Sequence, residues 1–411
     1  MIGTQPLPFI VSLLLLLLTA RVLGEVFERF GKPGMIGEVL AGILIGPSVF
    51  GFIGTTPEMK VISDLGVFLL VVLAGLEIGF DELRDSLRSR YTWISFLGFS
   101  IPFGSGLAVG FLFHYNFVFS VFLGLCIAIT ALPVSVRILM DLGKLRSNIG
   151  RQIISAAVFN DVVALLILGI ILDLETDKQN AHSFSVLLGV SVLKIVALVA
   201  MVVALYQLFR YAKKRVKAYG YNIDKALLYL KSKESLFAFV IVFVLIFASG
   251  TELLGLHFII GAFFGAMLLS PEILGKRNYL KVRNTTSGIT MGFLAPIFFA
   301  SIGLEFNFVA IQNVWLLIII LFASLFSKLV GGYVGARFAS FNTNESFTIG
   351  VGLNARGIIE LVIANIALAN NFIDRSMYSI LVLMGILTTL VTPFLLKYAF
   401  ARVDRHTHAM H

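Results

Sequence analysis

The stretch Ile153 to Leu172, IISAAVFNDVVALLILGIIL, is twenty residues long and carries a single carboxylate, Asp161, directly after Asn160. About 20 apolar residues at 1.5 Å each cross a hydrocarbon layer of about 30 Å, so the stretch reads as a transmembrane helix. A charge in the middle of such a helix costs on the order of 3 kcal/mol even on lenient insertion scales. An acid kept there is a functional candidate by default.

The rest of the chain agrees with that reading. Its 411 residues are 58% hydrophobic and 13% charged, with a mean hydropathy of +0.96; soluble domains hold roughly 45–50% apolar residues. An all-α polytopic membrane protein is therefore expected. The first apolar segment, Leu7 to Leu23, has neither a basic region before it nor a small-residue cleavage site after it, and reads as a retained helix. The single cysteine, Cys126, rules out a disulfide scaffold and a cysteine metal cluster. A net charge of +9 would suit nucleic acid in a soluble protein, but here the basic residues fall in the loops between apolar stretches, and no nucleic-acid partner is expected.

About thirteen spans are expected between residues 7 and 400, among them the second at 34–52, third at 61–78, fifth at 117–140, sixth at 151–172, ninth at 256–271, tenth at 287–304 and twelfth at 346–369. Sorting the loops alternately puts 23 of the 32 basic residues on one side and only Lys60, Lys178 and Arg375 on the other, with six inside spans. Short cytoplasmic loops are the ones enriched in Lys and Arg, so the N-terminus is expected outside and the C-terminus in the cytoplasm.

The two ends of the chain also resemble each other. Gly37 to Pro47 (GEVLAGILIGP) matches Gly261 to Pro271 (GAFFGAMLLSP), and Gly75 to Phe80 (GLEIGF) matches Gly303 to Phe308 (GLEFNF); both matches lie seven spans apart. Six spans, one connecting span and six more make two inverted repeats: residues 1–173, then a connecting helix and basic linker over 174–234, then 235–411 with a short cytoplasmic tail. Inverted repeats are a transporter signature, with the site at the midplane between them. The linker 210–234, with Lys213, Lys214, Arg215 and Lys217, is expected beside anionic lipid headgroups.

In span five, Pro133 follows Thr130-Ala131-Leu132. It removes a backbone donor and frees carbonyls near Ile129 and Thr130. The mirrored segment in span twelve, Gly350 to Gly357 (GVGLNARG), includes Asn354 and Arg356 and invites a second interruption. Two opposed breaks at the midplane would present carbonyls and half-helix dipole ends to a small ion. Asp161 supplies the charge, neutralised by either a proton or a metal cation, and as the only strong carboxylate candidate at the centre it predicts one cation per proton. Arg356 and Glu360, four residues apart, are expected to pair on one helical face. Glu77 and Glu305 are expected near opposite ends of their spans, as cation-attracting funnel mouths or as snorkelling and capping groups.

Taken together, Gly37 to Pro47, Gly75 to Ile78, Thr130 to Ser135, Phe159-Asn160-Asp161, Phe326-Ser327-Lys328 and Gly352 to Glu360 resemble the monovalent cation/proton antiporter superfamily, in the branch of bacterial sodium/proton exchangers and potassium-efflux membrane domains (cation:proton antiporter-2). The resemblance implies a homodimer in a bacterial inner membrane, working in elevator fashion with crossed, discontinuous helices in its core. It implies no cofactor, only a transported monovalent cation and H+, and leaves room for a separate regulatory subunit. Asp161 matches the ion- and proton-carrying acid, with Asn160 and Thr130 beside it and Pro133, Lys328, Asn354, Arg356 and Glu360 as supporting core. Asn160 matches a position that is Asp in electrogenic members and Asn in many electroneutral ones. Lys328 matches the lysine that pairs with that first Asp; without it, Lys328 is left to bond Asn160, to approach Asp161 in the ion-free state, or to balance core charge.

The rival expectation is a potassium efflux channel gated by a separate cytoplasmic subunit. The chain lacks a filter sequence such as TVGYG and seals its carboxylate among apolar residues, which disfavours a pore. An intramembrane enzyme would need a Ser/His, metal or two-aspartate constellation that the sequence does not offer.

Overall fold

A computed structural model describes residues 8–77, 91–176, 184–218, 233–254 and 256–408. Every regular element among the described residues is helical. Besides a single turn at Pro271–Leu274, they are in chain order α1 (Phe9–Arg29), α2 (Gly34–Ile45), α3 (Pro57–Glu77), α4 (Thr92–Leu112), α5 (Phe117–Ala128), α6 (Leu132–Asp141), α7 (Asn148–Thr176), α8 (Phe184–Ala218), α9 (Lys233–Leu253), α10 (Phe258–Leu268), α11 (Lys276–Glu305), α12 (Val314–Phe338), α13 (Thr343–Gly352), α14 (Ile358–Ala369) and α15 (Arg375–His408). Eight of the described helices are long and apolar enough to cross a membrane, and five shorter apolar ones accompany them. The tenth predicted span starts earlier than its hydropathy suggests. Its helix, α11, begins at Lys276 and passes through a π-helical turn at Thr290–Leu294, because backbone hydrogen bonding continues through the polar Lys276–Arg283 turns. Residues 219–232, most of the predicted lipid-facing linker, lie outside the described residues.

The chain forms two compact units, residues 1–63, 82–164 and 296–411 in one and residues 64–81 and 165–295 in the other. In the first unit one apolar cluster joins α4, α6, α7, α12, α13 and α15, through residues such as Ile94, Ile138, Ile153, Ala336, Ile349 and Leu396. A second joins α1 and α2 to the C-terminal half of α11 through Leu16, Ala20, Ala41, Ile297 and Ala300. α12 lies close against α4 because Gly335 faces the backbone of Trp93 and Ile94, where an added Cβ would come within 2.7 Å of Ile94 Cα. That approach carries Lys328, two turns earlier on α12, inward to complete burial.

The repeated motifs pack in a reciprocal way, each within its own unit. Gly303 of the second GLE motif lies on α2 at Val39, Gly42 and Ile43, while Gly75 of the first lies on α10 at Phe263 and Ala266.

Candidate functional site

Two of the predicted spans are interrupted. α5 ends at Ala128, Ile129 and Ala131 are extended (ψ 145° and 113°), and α6 resumes at Leu132 with Pro133 in its first turn, where a missing N–H is tolerated. α13 is started by a capping box between Asn342 and Glu345. It stops at Gly352, and α14 begins at Ile358. The interruptions bind each other. Ala131 N donates to Ala355 O at 2.8 Å, and Thr130 Oγ1 donates to Leu353 O at 2.9 Å. Gly357 is needed at this junction, since a Cβ there would stand 2.6 Å from Ala131 Cβ and 3.2 Å from Val134 Cγ2.

An α-helix leaves its last carbonyls without partners and carries partial negative charge at that end. At the end of α5 two fully buried cations meet this demand. Lys328 Nζ donates to Ala128 O, to Gly98 O at 3.2 Å and to Thr130 Oγ1 at 2.7 Å. Arg356 donates from Nη1 to Cys126 O and from Nη2 to Ile127 O at 2.9 Å. The carbonyls of Cys126, Ile127 and Ala128, just before the Ile129 and Thr130 carbonyls expected to be freed, are therefore held by side-chain cations. Sequence reasoning missed this, although basic residues are the usual partners of a helix C-terminus, and Arg356 lies in the very segment flagged as the second break.

Asn160 and Asp161 project from the middle of α7, 0% and 1% exposed. The Asn160 amide satisfies its surroundings with its oxygen 3.2 Å from Lys328 Nζ and its nitrogen donating to Ala156 O at 3.2 Å. Of the three roles open to Lys328, bonding Asn160 is thus the one the geometry displays. Its other contacts are to Ala128 O at the end of α5, Gly98 O of α4 and the Thr130 hydroxyl, and Asp161 is not among its hydrogen-bond partners. Asp161 Oδ1 is buried with no hydrogen-bond partner among the described residues. A buried polar atom left unpaired costs on the order of 1–3 kcal/mol, and more if charged, so this carboxylate is an acceptor suited to a proton or a cation.

The other predicted residues fall as follows. Asn354 lies in the second break, its Nδ2 donating to Gly350 O at 3.2 Å and its Oδ1 unpaired. Arg356 and Glu360 do pair, at 3.7 Å, but not as neighbours on one helical face: Arg356 sits in the break, before Gly357 caps α14. Glu77 bonds Arg283 at 2.9 Å, and Glu305 lies 3.5 Å from Arg375. The structure thus brings Thr130, Asn160, Lys328, Arg356 and Glu360 to one junction, with Asp161 beside Asn160, and leaves Glu77 and Glu305 at separate ion pairs.

Known proteins share both the sequence and the fold. The chain is 31% identical to the Na+/H+-K+ antiporter GerN of Bacillus cereus over 97% of both chains. It is 30% identical to a Na+/H+ antiporter of Enterococcus hirae over 96% of this chain and 98% of that one. The fold matches the sodium proton antiporter MjNhaP1 of Methanocaldococcus jannaschii with a TM-score of 0.69 at 14% identity, covering 95% and 96% of the two chains. Residues 12–402 match the family described as sodium/hydrogen exchanger, transmembrane, and this integral membrane protein belongs to that family.

Proposed function

We propose that this protein is a secondary antiporter exchanging a monovalent cation, Na+ in the first place and K+ or Li+ as alternatives, for H+, one for one and without net charge movement. Asp161 takes cation or proton in turn. The observation that carries this reading is the pairing pattern at the junction. Both buried cations are committed to the α5 end, whereas Asp161 Oδ1 has no partner. A cation and a proton compete for this open carboxylate oxygen. Asn160 and Thr130, already engaged with Lys328, hold the site's geometry, and Asn354 adds an unpaired oxygen in the second break.

Alternating access would follow from thirteen spans in two inverted repeats, with crossed interrupted helices moving as an elevator within a homodimer. The reciprocal packing of the two GLE motifs supports the repeats. The predicted orientation gains support from ion pairs that join residues assigned to the same side, Lys144 with Asp404 and Arg283 with Glu77 inside, Arg375 with Glu305 outside. With each already neutralised by an arginine, Glu77 and Glu305 are better suited to tether helices than to draw in cations. The relatives' antiporter names favour exchange over a gated pore.

Proteoliposomes holding a pH gradient test the proposal. Addition of Na+, Li+ or K+ should dissipate the gradient in the wild type and not in Asp161→Asn. Retained exchange in that variant overturns the carrier role, and a strong response to imposed membrane potential overturns neutrality.

A further inference from the structure

A second acid, Glu360, lies in the first turn of α14 with 1% exposure, and neither of its carboxylate oxygens has a hydrogen-bond partner among the described residues. Its opposite charge, Arg356, stands 3.7 Å away, beyond hydrogen-bonding range, because the guanidinium is turned toward the carbonyls of Cys126 and Ile127. On the α15 side the carboxylate faces Gly385, where a Cβ would lie 3.4 Å from Oε1. The α15 hydroxyls nearby are engaged elsewhere: Thr389 Oγ1 donates to Arg356 O at 3.1 Å and Thr388 Oγ1 to Met384 O at 2.8 Å. Gly385 also lines, with Met35, Ile36, Gly357, Leu361 and Ile386, a crevice of about 10 Å³, close to the least space that holds one water.

An acid so placed is poorly served as an ion. Oxygen ligands for a metal cation are scarce there, with the hydroxyls of α15 already committed. A proton needs only one carboxylate lone pair, and it neutralises the carboxylate while the guanidinium stays charged on the helix end. The groups with electrostatic influence on Glu360 are Arg356 in its own segment and Lys328 from α12; the Cys126 thiol of α5 lies within the field of Glu360, and α15 presents Gly385 and hydroxyls engaged elsewhere. We propose that Glu360 is a second proton-binding carboxylate of this protein, distinct from the acid that takes the transported cation. In the binding step hydronium gives its proton to a carboxylate oxygen and departs as water, so that one O–H bond breaks and one forms.

The distinction between the two acids rests on the reading of Asp161 given above, but the test of Glu360 does not depend on transport. Infrared difference spectra of the purified full-length protein between high and low pH should contain a protonated-carboxyl stretch that persists at saturating Na+, survives Asp161→Asn and disappears in Glu360→Gln. Persistence of every such band in Glu360→Gln, or loss of all of them on adding Na+ to the wild type, overturns the proposal. Should Glu360→Gln not fold, Gly385→Ala places a methyl against Oε1: a shifted Na+-insensitive band supports the assignment and an unshifted set of bands overturns it. Failure of the Asp161 reading would show separately, as Na+ leaving every carboxyl band unchanged while Glu360→Gln still removes one.

Discussion

Replacing Lys328 by methionine keeps the length of the side chain and removes its charge and donors. The loss is set by three N–H donors shared among Ala128 O, Gly98 O at 3.2 Å, Thr130 Oγ1 at 2.7 Å and the Asn160 oxygen at 3.2 Å. Hydrogen bonds from a charged donor contribute about 1.5–3 kcal/mol each, which would sum to roughly 4–9 kcal/mol. Against this stands the desolvation of a fully buried ammonium, several kcal/mol, which the substitution relieves. The balance is a destabilisation of about 3 kcal/mol, most of it from Ala128 O at the end of α5 and Gly98 O on α4 left unpaired. Thermal unfolding in detergent, followed by intrinsic fluorescence, should therefore show a clearly lowered midpoint. Residual exchange in proteoliposomes should remain insensitive to membrane potential, because in the proposed exchange the lysine caps a helix and keeps its proton. An unchanged midpoint would refute the capping argument. A wild type driven by membrane potential, turned neutral by the substitution, would show instead that the lysine proton is carried.

Gly357→Ala should lower both stability, by about 1–3 kcal/mol as for other overpacked sites, and exchange rate, because its Cβ would press on Ala131 at 2.6 Å and part the 2.8 Å bond from Ala131 N to Ala355 O; melting and transport assays on the same preparation check this. Lys32, in the loop before α2, donates to Leu390 O at 3.5 Å with its ammonium 3.6 Å from the Phe394 ring centre, and burial pushes its pKa below the ordinary lysine value. Since the folded value lies under the unfolded one, folding favours the neutral amine, so stability should rise as pH climbs from the folded value toward 10.5; Lys32→Gln should abolish that alkaline rise in melting temperature, and a rise of equal size in the variant would count against the assignment.

What the sequence made legible and what it hid divide along a physical line. A carboxylate in twenty apolar residues is visible because its local cost is large whatever surrounds it, and α7 with Asn160 and Asp161 could be read directly. The interruptions were legible for a similar reason: Pro133 and the glycines from Gly350 to Gly357 act through their own backbone. The occupants of the freed carbonyls were not legible. Lys328 reaches Ala128 across 200 residues of chain, and its inward placement depends on α12 lying against α4 at Gly335. The Arg356–Glu360 spacing foretold the ion pair but not its setting, since counting four residues along one face assumed a helix through the break that separates Gly352 from Ile358.

That same tertiary arrangement bears on the charge carried per cycle. The junction holds two cations and two acids, and the hydrogen bonds are distributed unequally between them. Lys328 and Arg356 have backbone carbonyls as partners, which cannot release the helix end without leaving it unpaired, whereas Asp161 has an oxygen and Glu360 has two with none. In a medium of low dielectric the group with fixed partners keeps its charge state and the under-bonded group changes it. Protons should therefore move on and off the acids while the bases stay charged. On the proposed exchange at Asp161, with Asn160 in place of a second acid beside it, the cation and the proton that replace each other would carry equal charge, and exchange would move no net charge.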